Sequence, residues 1–394
     1  MKIVTAIDSF KGSMSSIEAG NAFAKGARKA DPDIEVIVRP LADGGEGTVD
    51  ALIEGMNGQR ISVTVTGPLG KPVICDYGII SEKKLAVIEM SGAAGITLLS
   101  GSELSPLDTT TYGVGEVIRD AIGKGCRRFI VGIGGSATND GGTGMLSAIG
   151  YEFLDKKGEP IALGAKGLKD IAEISDEHVL PELEDCEFLV ACDVKNPLCG
   201  PTGCSAIYGP QKGATPEMIA DMDKWLENYA RLAMAKYPAD AKCQGTSADA
   251  EYPGTGAAGG MGFAFLVFTN ATLKPGIELV LEETKLAEYI KDADLVVTGE
   301  GMLDAQTAMG KAPVGVAALA KKYGKTVIAF AGSVTEDAAA CNKAGIDAYF
   351  PIVRGVTTLE EAMQKETAMK NMEAAAKQVI SLYEVSTRCK VISR

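Results

Sequence analysis

Residues 2–30, KIVTAIDSFKGSMSSIEAGNAFAKGARKA, decide the fold. The apolar run from Lys2 to Ile7 reads as a buried strand, and Ser15 with Glu18 three positions later forms a capping pair that opens a helix. Residues 34–38 supply a second strand and residues 47–56 a second helix. The same grammar returns in the last third of the chain. Strands are expected at 293–298, 326–331 and 348–353, helices at 313–323 and 336–344, and one long helix at 359–383. Strict alternation of strand and helix implies a parallel sheet covered on both faces, with ligands at the carboxyl ends of its strands.

Between the two ends the pattern changes. ISVTV, VICDYGII and LAVIEM are longer strand-like stretches, and the loops that follow are rich in glycine. The expectation is an α/β protein in which residues 1–60 and 284–394 share one parallel sheet and residues 61–283 form an inserted α/β domain, with the active site in the cleft between them. A chain of 394 residues is long enough for two cores.

Composition narrows the function. A net charge of −13 opposes any general affinity for nucleic-acid backbones, which depends on clustered Lys and Arg. No window holds the roughly 18 apolar residues of a membrane span, and the start MKIVTAIDSFKGS lacks the apolar core of a signal peptide. A cytoplasmic protein without nucleic-acid or membrane partners is expected, and a homo-oligomer is compatible with the sequence. Nine cysteines, among them Cys75, Cys126, Cys192 and Cys243, form no CxxC pair and read as reduced, buried thiols. Cys199 and Cys204, the closest pair, are a weak metal signal.

The candidate chemistry sits where strands end. Asp8, Ser9, Lys11 and Ser13 follow the first strand and precede a helix, a place where anions bind well, although the same residues could simply cap the turn. Asp43, Gly44, Gly45 and Glu46 follow the second. A third strand runs into Gly134, Gly135, Ser136, Ala137, Thr138, Asn139 and Asp140, where glycines free backbone N–H groups for phosphate. Asp193 follows a fourth strand. One or two carboxylates plus substrate oxygens suit Mg²⁺, and the competing role of Asp193 is an Asx turn before Pro197. Gly299, Glu300 and Gly301 end the strand expected at 293–298, and Asp304 and Lys311 follow toward a helix. GTGAAG at 254–259 matches a dinucleotide fingerprint on paper but follows Pro253 rather than a strand, and no Walker A pattern is present.

DSFKGS at 8–13, ADGGEGT at 42–48, GGSATNDGG at 134–142, CDVKNPL at 192–198, GPQKGA at 209–214, GTGAAGG at 254–260 and TGEGMLDAQTAMGKAPVGVA at 298–317 together resemble the bacterial glycerate kinases of type 1, in type and in order. The resemblance covers nearly the whole chain. It implies a Rossmann-like domain built from both chain ends, and ATP-dependent phosphorylation of D-glycerate, commonly at the 2-position. Met302 and Met309 depart from the family pattern, where an arginine and a histidine often stand.

Phosphoryl transfer needs positioning, charge neutralisation and a group to orient the attacking hydroxyl. Gly134, Gly135, Ser136 and Thr138, with Ser9, Gly44, Gly45, Asn139 and Asp140, are the candidates for holding ATP, and Asp43 with Asp193 for holding Mg²⁺. Lys11 and Lys212 are candidate cations, Asp8 the candidate base, and Glu300, Asp304 and Lys311 complete the wall. The one histidine, His178, lies in an acidic stretch away from every glycine-rich loop. Two rivals are an NAD-dependent hydroxy-acid dehydrogenase and a nucleotide sensor without turnover.

Overall fold

The structure, a computed structural model, describes residues 1–45, 47–238 and 249–392; Glu46 and Cys243 fall outside them. The chain divides into two compact units. One comprises Met1–Asp43, Asp50–Met56 and Ile277–Arg394, and the other Gly44–Val49 and Asn57–Gly276.

The first unit is built on a five-stranded parallel sheet. Lys2–Ile7 pairs with Glu35–Pro40 on one side and Leu295–Leu303 on the other, followed by Thr326–Val334 and Ala348–Pro351. Numbered within the unit this is the order 2-1-3-4-5, a doubly wound sheet whose switch point lies between the strands Lys2–Ile7 and Leu295–Leu303. Ser15 caps the helix Ser16–Ala30 in a full capping box with Glu18. Ile3, Ile7, Leu295, Val297 and Phe330 form the core with Phe23 of that helix and with Met372 and Ile380 of the long helix Lys365–Ile392.

Two sequence expectations shift here. The strand Leu295–Leu303 does not stop before Glu300 but carries Glu300 through the sheet edge, because Glu300 and Met302 still pair with Ala331 and Ser333. The expected last helix is two: Leu359–Met363 ends where Gln364 turns to an extended ψ of 127°, and Lys365–Ile392 begins anew, its first residue ion-paired with Glu18.

The second unit carries a six-stranded mixed sheet, in the order Ala271–Lys274, Glu187–Ala191, Arg128–Gly132, Leu85–Glu89, Pro72–Ile80 and Gln59–Thr66. The first four are mutually parallel, and Pro72–Ile80 runs antiparallel to both of its neighbours. An apolar helix, Met261–Phe268, is buried on all sides against it, and Phe129 stacks on Phe188 with ring centroids 4.7 Å apart. The unit claims Gly44–Val49, which the sequence reading assigned to the other domain. The N–H of Val49 donates to Glu89 at 2.8 Å, and Gly44 is wedged against Ala191 with no room for a side chain. Among the described residues no helix is long and apolar enough to cross a membrane.

Candidate active site

In the first unit the switch point gathers carboxylates. Asp8 leaves the strand Lys2–Ile7 with its N–H on the carbonyl of Gly299 at 2.8 Å, so strand pairing continues to the residue before Glu300. Adjacent strands lie about 4.8 Å apart, which makes Asp8 and Glu300 neighbours at one edge. Asp43 follows the neighbouring strand, and Ser16 fixes its approach: the buried hydroxyl donates to the carbonyl of Ile7 at 2.6 Å and accepts from the N–H of Leu41 at 2.8 Å. One serine thereby ties together the chain segments that deliver Asp8 and Asp43.

Burial, then the charge of Asp43, pushes the Asp8 carboxyl up to about 7, while the Ser9 amide at 2.7 Å and Lys11 pull the other way. Burial also raises Glu300, partly offset by the Thr307 hydroxyl at 2.6 Å and by Lys311. Asp304 accepts from the Thr307 amide at 3.0 Å. Lys11 is exposed, and Ser9, Asp43, Asp304 and Lys311 are half-buried. A carboxyl close to 7 is what a base working at neutral pH requires.

In the second unit the parallel strands bring Glu89, Gly132 and Ala191 into one register, so the turn after Gly132, the side chain of Glu89 and the Cys192–Asp193 step share an edge. Gly134 and Gly135 are exposed, and Gly135 has φ +71°, a conformation that favours glycine. The chain then dives inward. Ser136 is nearly buried, and Thr138, Asn139 and Asp140 are fully buried. Behind them Lys212, only 1% exposed, donates to the Ser136 hydroxyl at 2.9 Å and the Thr138 carbonyl at 2.6 Å. Burial lowers this ammonium to about 8.

The structure places several candidates in supporting positions. Asp140 accepts from the amide and hydroxyl of Thr111, at 2.8 and 2.9 Å, and from the amide of Gly142 at 3.1 Å, and burial raises its carboxyl. Asn139 donates to Ser205 at 2.8 Å. Both side chains face the interior rather than solvent. Gly44 is likewise packed, and the Gly45 carbonyl accepts from Thr48. Exposed Asp193 accepts from the N–H of Gly276 at 3.0 Å, and it belongs to a different unit from Asp43. His178 is a surface residue, 3.1 Å from Glu152. The surface cleft of about 560 Å³ lined by Lys156, Lys157, Lys169 and Arg231 contains none of the candidate residues.

Sequence reasoning missed Glu89, Thr111 and Ser16. Glu89 ends a parallel strand, so the rule that selected Asp8 and Asp193 could have found it; Thr111 and Ser16 carry no local signal. The GTGAAG stretch is preceded by turns, not by a strand, and its glycines brace neighbouring loops: the amide of Gly256 donates to the carbonyl of Asn196, and the carbonyl of Gly259 accepts from Gly141. That removes the structural context of a dinucleotide fingerprint.

Comparison with known proteins identifies the family. The glycerate kinase family model matches residues 3–384. A glycerate 2-kinase of Escherichia coli K12 is 44% identical over 388 residues, covering 98% of this chain and 99% of the relative, and a glycerate kinase of Haemophilus influenzae is 45% identical over 365 residues, covering 93% and 94%. The crystal structure of a Salmonella typhimurium LT2 protein assigned as glycerate kinase 2 superposes with a TM-score of 0.89 at 44% identity, covering 98% of this chain and 99% of that one. With a family match along nearly its whole length, the chain belongs to the glycerate kinase family and is a phosphotransferase.

Proposed function

We propose that this protein transfers the γ-phosphoryl group of Mg·ATP to the 2-hydroxyl of D-glycerate in the cytoplasm, forming 2-phosphoglycerate. The observation that carries the reading is Asp8: a carboxyl raised to about 7, at the switch point of a doubly wound sheet, beside two further acidic residues. In this role Asp8 accepts the proton of the attacking hydroxyl.

The residues present fit both groups the reaction needs. For ATP, Gly134 and Gly135 offer an exposed, amide-rich turn, and the Thr138 hydroxyl is buried behind it without a protein partner. Ser136 accepts from Lys212, so its own proton is free to donate outward to a phosphate oxygen. Lys212 then acts through Ser136 and through its positive charge, since it is itself enclosed. For Mg²⁺ the donors are carboxylate oxygens, the kind this ion takes. Among the described residues no group of three His, Cys, Asp or Glu converges as a cage. The ion would be held by one or two carboxylates, Asp43 or Asp193, with the rest of its shell from phosphate and water. Bound there, the ion would neutralise charge on the transferring phosphoryl group. Lys11 and Lys311 are the cations for the glycerate carboxylate.

A coupled assay of ADP release tests the reading. Release should depend on both D-glycerate and Mg²⁺. ATP binding without turnover would instead favour a nucleotide sensor.

A further inference from the structure

The fold treats the two oxygens of Glu300 differently. Oε1 takes the hydroxyl proton of Thr307 at 2.6 Å. Thr307 is fully buried, its amide donates to Asp304 Oδ1 at 3.0 Å, and its oxygen accepts from the N–H of Asp304 at 3.3 Å. A hydroxyl has one proton to give. Asp304 Oδ1 is also within 3.3 Å of the Thr307 oxygen, so the shorter contact to Glu300 wins and Asp304 is served by the amide. The result is a carboxylate oriented through Oε1, while Oε2 makes no hydrogen bond among the described residues and can accept one. Glu300 stands one strand from Asp8, so Oε2 belongs to the same sheet edge as the base.

We propose that Glu300, oriented by Thr307, accepts a hydrogen bond from the second hydroxyl of the acceptor, the one not phosphorylated, and so selects 2,3-dihydroxy acids over 2-hydroxy acids that lack it. Thr307 is a positioning residue and Glu300 the group that touches substrate. The inference rests on the proposed phosphorylation of glycerate. Its physical basis is that a partly buried acceptor left without a donor is costly, so a site built to bond a hydroxyl rejects an analogue lacking it far more strongly than an apolar pocket could, by up to about 10⁴-fold. A simpler role for Thr307, closing the turn between Asp304 and Lys311, predicts no effect on this choice.

The test compares kcat/KM for D-glycerate and for D-lactate, which keeps the 2-hydroxyl and lacks the 3-hydroxyl, in wild type, Thr307→Val, Thr307→Ser and Glu300→Met. Wild type should prefer D-glycerate by about 100-fold or more. Thr307→Val and Glu300→Met should cut that preference at least about tenfold, through a larger loss on D-glycerate than on D-lactate, and Thr307→Ser should keep it. Equal losses on both substrates, or an unchanged preference, would overturn the inference. If Thr307→Val does not fold, Glu300→Met decides alone. Failure of wild type to phosphorylate D-glycerate would refute the functional reading instead, a distinguishable result.

Discussion

Lys212 donates to the hydroxyl of Ser136 at 2.9 Å inside a shell that leaves the lysine 1% exposed. A buried ammonium has only donors to offer, so it holds the serine proton pointing away from itself. The second titrating group is Asp8, which in the role proposed for it must lose its proton before it can accept that of the hydroxyl. One group sits near 7 and the other near 8.

The pH dependence follows directly. kcat/KM for glycerate should be bell-shaped, falling about tenfold per pH unit below about 7 as Asp8 is protonated and above about 8 as Lys212 is neutralised. Asp8→Asn should abolish the acid limb along with most of the activity. A flat profile between pH 5 and 9 would remove both groups from the mechanism.

Asp8 also carries a stability signature independent of turnover. The folded protein retains the Asp8 proton up to about 7 while the unfolded chain loses it near 3.8, so the native state binds more protons between these values and stability falls as pH rises through that window. The cost at pH 8 is up to roughly 4 kcal/mol. Asp8→Asn should therefore melt several degrees above wild type at pH 8 and at nearly the same temperature below pH 4. Thermal scans at the two pH values check this, and a variant less stable than wild type at pH 8 would contradict the burial argument.

Thr111 should matter through Asp140. Its hydroxyl donates to the buried carboxylate at 2.9 Å and accepts from the amide of Met145 at 2.9 Å. Thr111→Val keeps the shape but strips a buried charge of one donor, which should cost about 2–4 kcal/mol in denaturant unfolding. A change below about 0.5 kcal/mol would mean that Asp140 is neutral or otherwise satisfied.

The alternation of strand and helix was legible because buried parallel strands read as apolar runs and the Ser15–Glu18 capping box is local. The loops after the strands were legible for the same reason: Asp8 and Asp43 follow apolar segments directly, and Ser136 follows one after two glycines. What could not be read was inward or outward orientation. Ser136 and Asp140 belong to one loop of small polar residues, yet Ser136 lies beside the exposed Gly135 while Asp140 is spent on Thr111, 29 residues away in the chain. Lys212 gave no sign of its burial, which arises from contacts with residues 74 and 76 positions distant. The membership of Gly44–Val49 depended on Glu89, another long-range partner.

His178 provides a negative control. It is exposed, and its recorded partner is Glu152 at 3.1 Å. His178→Gln should leave kcat and KM within about twofold of wild type, far below the tenfold change that 1.36 kcal/mol would bring. A hundredfold loss in a folded variant would sink the carboxylate mechanism.

The most direct measurement is identification of the product by ³¹P and ¹H NMR after incubating the protein with ATP, Mg²⁺ and D-glycerate. The account predicts ADP and 2-phosphoglycerate in equal amounts, with neither formed by Asp8→Asn above about one hundredth of the wild-type rate. Phosphate on the 3-position, ADP with free inorganic phosphate, or an unchanged rate in Asp8→Asn would contradict it.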